Sequence, residues 1–390
     1  MLQLPRDSAH QKRTRVAIVL PNLRGGGAER VAIRLAEDMA SRGCEVDLVL
    51  LQGVGELISV PARHINVIDL KCRRIAVSIG PLIKYLRRRR PDSMLVSMWP
   101  LTVVACLAWR LSGSAARLVV SDHTLLSRQY AGHNRLVRLA LRLSTRLVYP
   151  LATARVAVSA AVARDLAALS SLPESQFEVI NNPVAGPPVG KNGIAAAESL
   201  WGGSVHRILS VGDMKPEKKH ELLIRSFARL LPRRPAKLIL VGDGPLRSQL
   251  EQLVAELGIG DHVEFAGFML DVWPFYKTAN LFALSSDVEG FPLVVCEALH
   301  CGLAVVSTRA GGVPEILEQG KYGTLVPEGD IDAFTDALDR ALDRKADPAV
   351  QRQRAERVAG QNHSDRYFEI MMPTSPAAFA APVAMAADPA

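Results

Sequence analysis

The chain has 390 residues, 48% of them hydrophobic and 22% charged, with a formal net charge of +8 at neutral pH. It is too long for one ordinary domain and too apolar for a disordered chain, so two packed domains are expected. Its five cysteines, Cys44, Cys72, Cys106, Cys296 and Cys301, are scattered and form no C-x-x-C pair; this argues against a disulfide framework or a zinc site and for reduced thiols in a cytoplasmic protein.

Residues 1–14 are polar, include Pro5, and lack the apolar core of a secretion signal, so they read as an extension. Arg15–Leu20 reads as a buried strand, Gly25, Gly26 and Gly27 as a loop, and Ala28–Arg42 as a helix with Val31, Leu35 and Met39 on one side, stopped by Gly43. Glu45–Leu51 is the next strand, followed by strands at Ser93–Met98, Arg117–Val120 and Ala154–Val158 with helical segments between. The apolar run Met94–Trp109 is broken by Pro100 and is shorter than the ~20 residues that span a bilayer, so it reads as strand then helix.

The pattern restarts after residue 205, with strands at Arg207–Val211, Lys237–Val241, Val263–Phe265, Leu281–Leu284 and Ala304–Ser307 and helices at Lys219–Leu231 and Leu246–Leu257. Strands alternating with helices mean parallel sheets covered on both faces. Two α/β domains follow, residues 15–183 and 205–372, facing a central cleft, with a Pro-, Gly- and Ala-rich linker at 184–204 and a disordered Ala- and Pro-rich tail at 373–390. Ligands of such sheets bind beyond the carboxyl ends of the strands.

The stretch Ser285–Glu297 carries the most specific chemistry. Glu289 follows a strand in a loop with Gly290 and Phe291, and Pro292 suits the start of a helix. The free N–H groups near Leu293 and Val294 would make an anion site for a diphosphate, with Glu289 in reach of a sugar hydroxyl and Glu297 in reach of ribose hydroxyls. A second turn, Gly311-Gly312-Val313-Pro314-Glu315, reads as backbone brought close to a ligand or as a plain strand-to-helix turn. At Gly212-Asp213-Met214-Lys215-Pro216-Glu217-Lys218-Lys219, a lysine can neutralise a departing diphosphate, and Lys215, Lys218 and Lys219 compete for that role.

In the first half, Gly25-Gly26-Gly27-Ala28-Glu29 enters a helix and suits close approach of a phosphate or sugar, although it is not G-x-G-x-x-G, which argues against a nicotinamide-dependent oxidoreductase. His123 falls at a strand's carboxyl end, where it reads as functional or structural. Residues 1–180 hold 26 Lys and Arg against 13 Asp and Glu, and the remainder 21 against 26, so the first half faces an anionic partner or simply presents a solvated basic surface. Arg135, Arg138, Arg142 and Arg146 recur at helical spacing among Leu136, Leu139, Leu143 and Leu147, as in a helix lying on an anionic membrane or one packed on its own domain. Few aromatics accompany these arginines, which argues against nucleic acid.

Together with Val158-Ser159, Asn181-Asn182-Pro183 and Val241-Gly242-Asp243-Gly244-Pro245, these motifs over residues 14–345 resemble the retaining glycosyltransferases of family 4, with two Rossmann-like domains in the GT-B fold. The resemblance implies transfer, of the hexosyltransferase type, from a nucleoside-diphosphate sugar with retention of configuration. It implies no metal and no cofactor, and a front-side reaction assisted by the departing phosphate. Glu289 would contact the donor sugar, Glu297 the ribose and Lys218 the diphosphate. Gly212, Lys215, Gly290, Phe291, Pro292, Leu293 and Val294 would complete the donor site, with Gly244 toward the nucleobase. Gly25, Gly26, Gly27 and Glu29 would border the diphosphate and acceptor, and His123 the reacting sugar.

Two departures stand out. Asp213 occupies a position where family members commonly carry Arg, which weakens diphosphate binding unless Lys215 compensates, and leaves a catalytically silent nucleotide-sugar binder as one alternative. The closing helix that crosses back to the first domain is represented only by the short Asp365–Met371. The acceptor expected is a lipid-linked glycan of polysaccharide or glycolipid synthesis, such as a polyprenyl-linked one, with a small molecule or sugar phosphate handled by a soluble enzyme as the other reading.

Overall fold

The computed structural model describes residues 13–184, 186–187, 193–343 and 346–372. The strands of the first half are β1 (Arg15–Leu20), β2 (Glu45–Leu50), β3 (Asn66–Asp69), β4 (Ser93–Ser97), β5 (Arg117–Asp122), β6 (Ala154–Ala157) and β7 (Glu178–Val179); its helices are α1 (Gly27–Ser41), α2 (Ile79–Arg89), α3 (Leu101–Ser112), α4 (Leu126–Gln129), α5 (Arg135–Val148) and α6 (Ala160–Ser170). The second half holds β8 (His206–Val211), β9 (Ala236–Val241), β10 (Val263–Gly267), β11 (Leu281–Leu284), β12 (Ala304–Thr308) and β13 (Thr324–Val326). Its helices are α7 (Ile194–Leu200), α8 (His220–Leu230), α9 (Arg247–Glu256), α10 (Trp273–Thr278), α11 (Leu293–His300), α12 (Val313–Ile316), α13 (Ile331–Asp343), α14 (Pro348–Ala359) and α15 (Asn362–Met371).

All strands pair in parallel, in the orders β3-β2-β1-β4-β5-β6-β7 and β10-β9-β8-β11-β12-β13. The strands are apolar on both faces because each sheet is covered on both sides. In β1, Val16, Ile18 and Leu20 enter one apolar cluster while Ala17 and Val19 enter the other. The strand order reverses between β1 and β4 and between β8 and β11. Those crevices take the loops after β1 and β4 in one domain and after β8 and β11 in the other, which places the glycine loop, the lysine loop and the Glu289 loop where ligands of such sheets bind.

The two domains share apolar packing. One cluster joins Leu126, Tyr149 and Val162 to Phe291, Val295 and Val313. The stretch read as a linker contains α7, and Trp201 just after it is fully buried, donating Nε1 to Thr278 Oγ1 at 2.9 Å. Apolar packing on α10 overrides the linker-like composition there. The end of the chain also differs from the expectation of a second domain running to residue 372. The helix α14 packs on α11, and α15 then lies on the first sheet, where Tyr367, Ile370 and Met371 are buried with the β1 and α1 side chains. The crossing helix is therefore present, pinned by Arg42–Asp365 and Arg366–Glu178 ion pairs. The short strands β3, β7 and β13 are additions to the sequence expectation; their exposed residues leave no continuous apolar run. The expected tail at 373–390 lies outside the described residues.

Candidate active site in the interdomain cleft

The loop after β11 leads directly into α11, with Pro292 as its N-cap residue, so the helix starts at Leu293, one residue later than expected. The first N–H groups of any helix lack intrahelical partners and carry its positive end, so Leu293 and Val294 present donors at the cleft. Glu289, 7% exposed, sits just before them and accepts a 2.7 Å charged hydrogen bond from Lys218 Nζ. Ser285 ties the two loops together by donating Oγ–H to the Lys218 carbonyl at 2.9 Å. The three lysines have different partners. Lys219 pairs with Asp287 at 3.3 Å and Lys215 with Asp213 at 2.5 Å, so Lys218 is the one that reaches Glu289. Its aliphatic stem passes 4.0 Å from where a side chain on Gly212 would start.

Glu297 lies one turn further along α11. Tyr276, fully buried on α10, donates its hydroxyl to Glu297 Oε2 at 2.8 Å. Burial pushes the Glu297 carboxyl up, opposed by the Tyr276 hydrogen bond and by the charge of Arg30 on α1. Neither Tyr276 nor Arg30 was singled out in the sequence: Tyr276 sits in an apolar Trp-Pro-Phe-Tyr run that reads as core.

The glycine loop after β1 faces α11 directly. A side chain on Gly27 would start 3.6 Å from Leu293 Cδ1, and one on Gly25 would start 2.8 Å from Phe268. Gly26 abuts the Glu29 carboxylate at 2.5 Å from its notional Cβ. Burial raises the Glu29 pKa, against its own backbone N–H and the Lys215 charge, with Asp213 adding to the rise. Glu29, Lys215 and Asp213 thus feel one another across the cleft.

His123 caps β5 on the opposite wall. Burial pushes its pKa down to about 4, so the ring is neutral at neutral pH. Its Nε2 lies 3.4 Å from Ser121 Oγ, which is 3.2 Å from the Tyr367 hydroxyl on α15. Its Nδ1 is buried and has no partner among the described residues. Behind it, Asp122 accepts from the Tyr149 hydroxyl at 2.6 Å, and burial raises that carboxyl to about 6.

The domains meet backbone to backbone at Gly290: a Cβ there would lie 2.0 Å from the His123 carbonyl oxygen. Gly311 likewise would place a Cβ 1.6 Å from the Glu289 carbonyl oxygen, and its φ of +50° favours glycine. The Gly311-Gly312 turn therefore brings backbone against protein, the plainer of its two sequence readings. Glu315, at its end, accepts from the N–H of Ala160 at 3.0 Å with both oxygens, capping α6 of the other domain. Phe291 is also a packing residue, 4% exposed in the shared core, with its carbonyl accepting from Asn182 at 3.4 Å. Gly244 closes on the Met214 backbone, 2.7 Å from its notional Cβ, which fixes the lysine loop from below. Arg128 of α4 adds a further link, donating to the Asp287 carbonyl at 3.2 Å and pairing with Glu328 at 2.7 Å. Among the described residues, no three His, Cys, Asp or Glu side chains converge as a metal site, and no helix is long and apolar enough to cross a membrane.

Two facing Rossmann-like domains with a lysine, two glutamates and a helix N-terminus on one wall define the GT-B class of glycosyltransferase. Comparison with known proteins agrees. The family described as "Glycosyltransferase Family 4" matches residues 25–185, and the one described as "Glycosyl transferases group 1" matches residues 196–358. The chain belongs to the group 1 glycosyltransferases and is a glycosyltransferase enzyme. It is 29% identical over 329 residues to an N-acetylgalactosamine-N,N'-diacetylbacillosaminyl-diphospho-undecaprenol 4-alpha-N-acetylgalactosaminyltransferase of Campylobacter jejuni, covering 80% of this chain and 86% of that protein. It is 36% identical over 165 residues to a GDP-mannose-dependent alpha-(1-6)-phosphatidylinositol monomannoside mannosyltransferase of Mycolicibacterium smegmatis, a match spanning 40% of this chain and 42% of that one. Among solved structures, HepE of Anabaena in complex with UDP and glucose superposes with a TM-score of 0.78 at 20% identity, covering 92% of this chain and 99% of that chain.

Proposed function

We propose that the protein moves a sugar from a nucleoside-diphosphate sugar to a lipid-linked glycan acceptor, with retention of configuration and without a metal, at the cytoplasmic face of a membrane. The observation that carries the donor side is the Lys218–Glu289 pair set at the N-terminus of α11, with Glu297 held behind it by Tyr276. In this reading Glu289 accepts hydrogen bonds from sugar hydroxyls, Glu297 accepts from the ribose, and the α11 N–H groups take the diphosphate. As the bond from the anomeric carbon to the phosphate oxygen breaks, Lys218 and the helix terminus stabilise the charge left on the diphosphate. The acceptor oxygen bonds to the anomeric carbon on the same face, and its proton passes to the departing phosphate oxygen. His123, neutral and on the facing wall, borders the sugar.

The lipid-linked acceptor is supported by the names of relatives, which specify undecaprenol- and phosphatidylinositol-linked substrates, and by the basic first domain with Arg135, Arg138, Arg142 and Arg146 exposed. A relative named N-acetyl-alpha-D-glucosaminyl L-malate synthase, 34% identical over 151 residues, keeps a small-molecule acceptor as the second reading. A thermal-shift panel of nucleotides and nucleotide sugars selects the donor, since binding stabilises the native state by the logarithm of ligand over its dissociation constant. Transfer from that donor to a polyprenyl-diphosphate sugar, read by chromatography with the anomeric coupling read by NMR, tests the rest. Glu289→Ala should abolish nearly all transfer. Transfer to water-soluble acceptors alone would replace the lipid-linked reading, and an inverted product would overturn retention.

A further inference from the structure

The charges of the lysine loop already answer one another. Lys218 pairs with Glu289, Lys219 with Asp287 and Lys215 with Asp213. A diphosphate entering that loop therefore meets no lysine without an acidic partner. The first domain supplies a different kind of cation. Arg30, on α1, is half-buried, and among the described residues it has no ion pair and no side-chain hydrogen bond. Withdrawing a guanidinium from water without a partner is costly, so an anion that reaches it relieves part of that penalty.

Two helix starts set where Arg30 stands. Gly27 opens α1 and Leu293 opens α11, and a side chain on Gly27 would start 3.6 Å from Leu293 Cδ1. Residues three or four apart share a helix face. Arg30 follows Gly27 by one turn of α1, and Glu297 follows Leu293 by one turn of α11. The charge of Arg30 is accordingly felt at Glu297 and at Tyr276 behind it, although the two side chains form no ion pair. One turn further along α1, Arg34 donates to Gln361 at 3.3 Å and so leaves the cleft. We infer that Arg30 is a donor-binding residue: its guanidinium takes phosphate oxygens of the nucleotide from the first-domain side, while Glu297 and the α11 N–H groups hold the ribose and the diphosphate from the other. This deepens the donor reading of the α11 wall and rests on it. It also answers Asp213 in a second way, because the cation displaced from the lysine loop is supplied by the opposite domain. A nucleotide bound like this touches both domains, and its charge draws them together.

Titration of the full chain with UDP, GDP and ADP, and with uridine, guanosine and adenosine by ligand-observed NMR, tests this. Arg30→Gln should weaken the preferred diphosphate at least about tenfold, the loss of a charge-assisted hydrogen bond, and leave the matching nucleoside within about twofold. The affinity of the native chain for the diphosphate should fall as salt is raised, and more steeply than that of the variant. Arg30→Lys should recover part of the loss, since it restores the charge without the planar fork. Arg30→Met, which keeps the apolar stem, repeats the measurement if the first variant melts lower. Arg34→Gln, on the same face but past the cleft, should stay within about twofold of the native affinity. Equal losses for nucleoside and diphosphate would overturn the inference, because Arg30 would then act only through Glu297. Undiminished diphosphate affinity in Arg30→Gln and Arg30→Met would overturn it too, and a loss confined to Arg24→Gln would give the phosphates to the glycine loop instead. A native chain that binds none of the three diphosphates would sink the donor reading together with this inference, whereas native binding that ignores Arg30 would sink this inference alone.

Discussion

The hydroxyl of Tyr276 donates to Oε2 of Glu297 at 2.8 Å from a fully buried position, between the rings of Trp273 and Phe282. The bond fixes one oxygen of the carboxylate proposed to receive the ribose and opposes the rise in pKa that burial imposes on it. Tyr276→Phe keeps the ring packing and removes only the donor. A net hydrogen bond of this kind is worth about 1 to 1.5 kcal/mol, so affinity for the preferred nucleoside diphosphate should fall about five- to tenfold. Isothermal titration measures it; affinity within about twofold of wild type would show that Glu297 needs no such support.

Asp213 holds Lys215 in a 2.5 Å ion pair, and both face Glu29 across the cleft. The cation that was expected to offset Asp213 is thus partly consumed by it. Asp213→Asn should release Lys215 and tighten diphosphate binding about fivefold at low salt, the worth of one nearby charge. Lys215→Ala should weaken binding less in the wild type than in the Asp213→Asn background. Equal effects in both backgrounds, read by nucleotide titration, would show that the pair is incidental to the site.

The wall proposed for the donor was picked out in the sequence because glycine, proline and charge fall in one short run, Glu289 to Glu297, at the end of an apolar strand. Its supports were not. Tyr276 lies in a run whose spacing reads only as core, and nothing local marks its hydroxyl as aimed at a residue on another helix. The Gly311-Gly312 pair announced a close approach, but spacing cannot say of what, and the neighbour is the Glu289 backbone. Pro-, Gly- and Ala-rich composition across 184–204 imitated a linker, although Trp201 was the available clue, being a poor residue for a solvated connection. The crossing helix was underestimated because its apolar set, Tyr367, Ile370 and Met371, is short; its i, i+3, i+4 spacing is nonetheless that of a packed face.

His220 opens α8, 5% exposed, and burial followed by the charge of Lys218 pushes its pKa down to about 4. The ordinary histidine value is 6.5. Between those values the unfolded chain binds a proton that the native chain refuses. Stability is therefore complete above about pH 6.5 and is lost as pH falls toward 4, by about 3 kcal/mol for this group. His123 acts in the same direction, while Asp122, raised to about 6, acts in the opposite one. The difference between wild type and His220→Gln isolates the first contribution. Chemical denaturation from pH 7 to pH 4.5 should show a shallower loss in the variant; parallel profiles would mean that His220 takes up its proton in the folded state.

Tyr367 carries the influence of the crossing helix to the facing wall. Its hydroxyl meets Ser121 Oγ at 3.2 Å, and Ser121 in turn meets His123 Nε2 at 3.4 Å, while Nδ1 is left without a partner among the described residues. A phenol that donates to Ser121 lets Ser121 donate to Nε2, which places the ring hydrogen on Nδ1. Tyr367→Phe retains the buried ring and removes the first link. If the chain of contacts orients the imidazole, kcat should fall about three- to tenfold, the worth of about 1 kcal/mol, with the donor KM changed by less than about twofold. Ser121→Ala should do the same, and the double variant should be no worse than either single one, because both act through one ring. The nitrogen chemical shifts of His123 should report the Nδ1–H tautomer in the wild type and a mixture in the variants. An undiminished kcat in Tyr367→Phe, or losses that multiply in the double variant, would leave Tyr367 with a packing role alone.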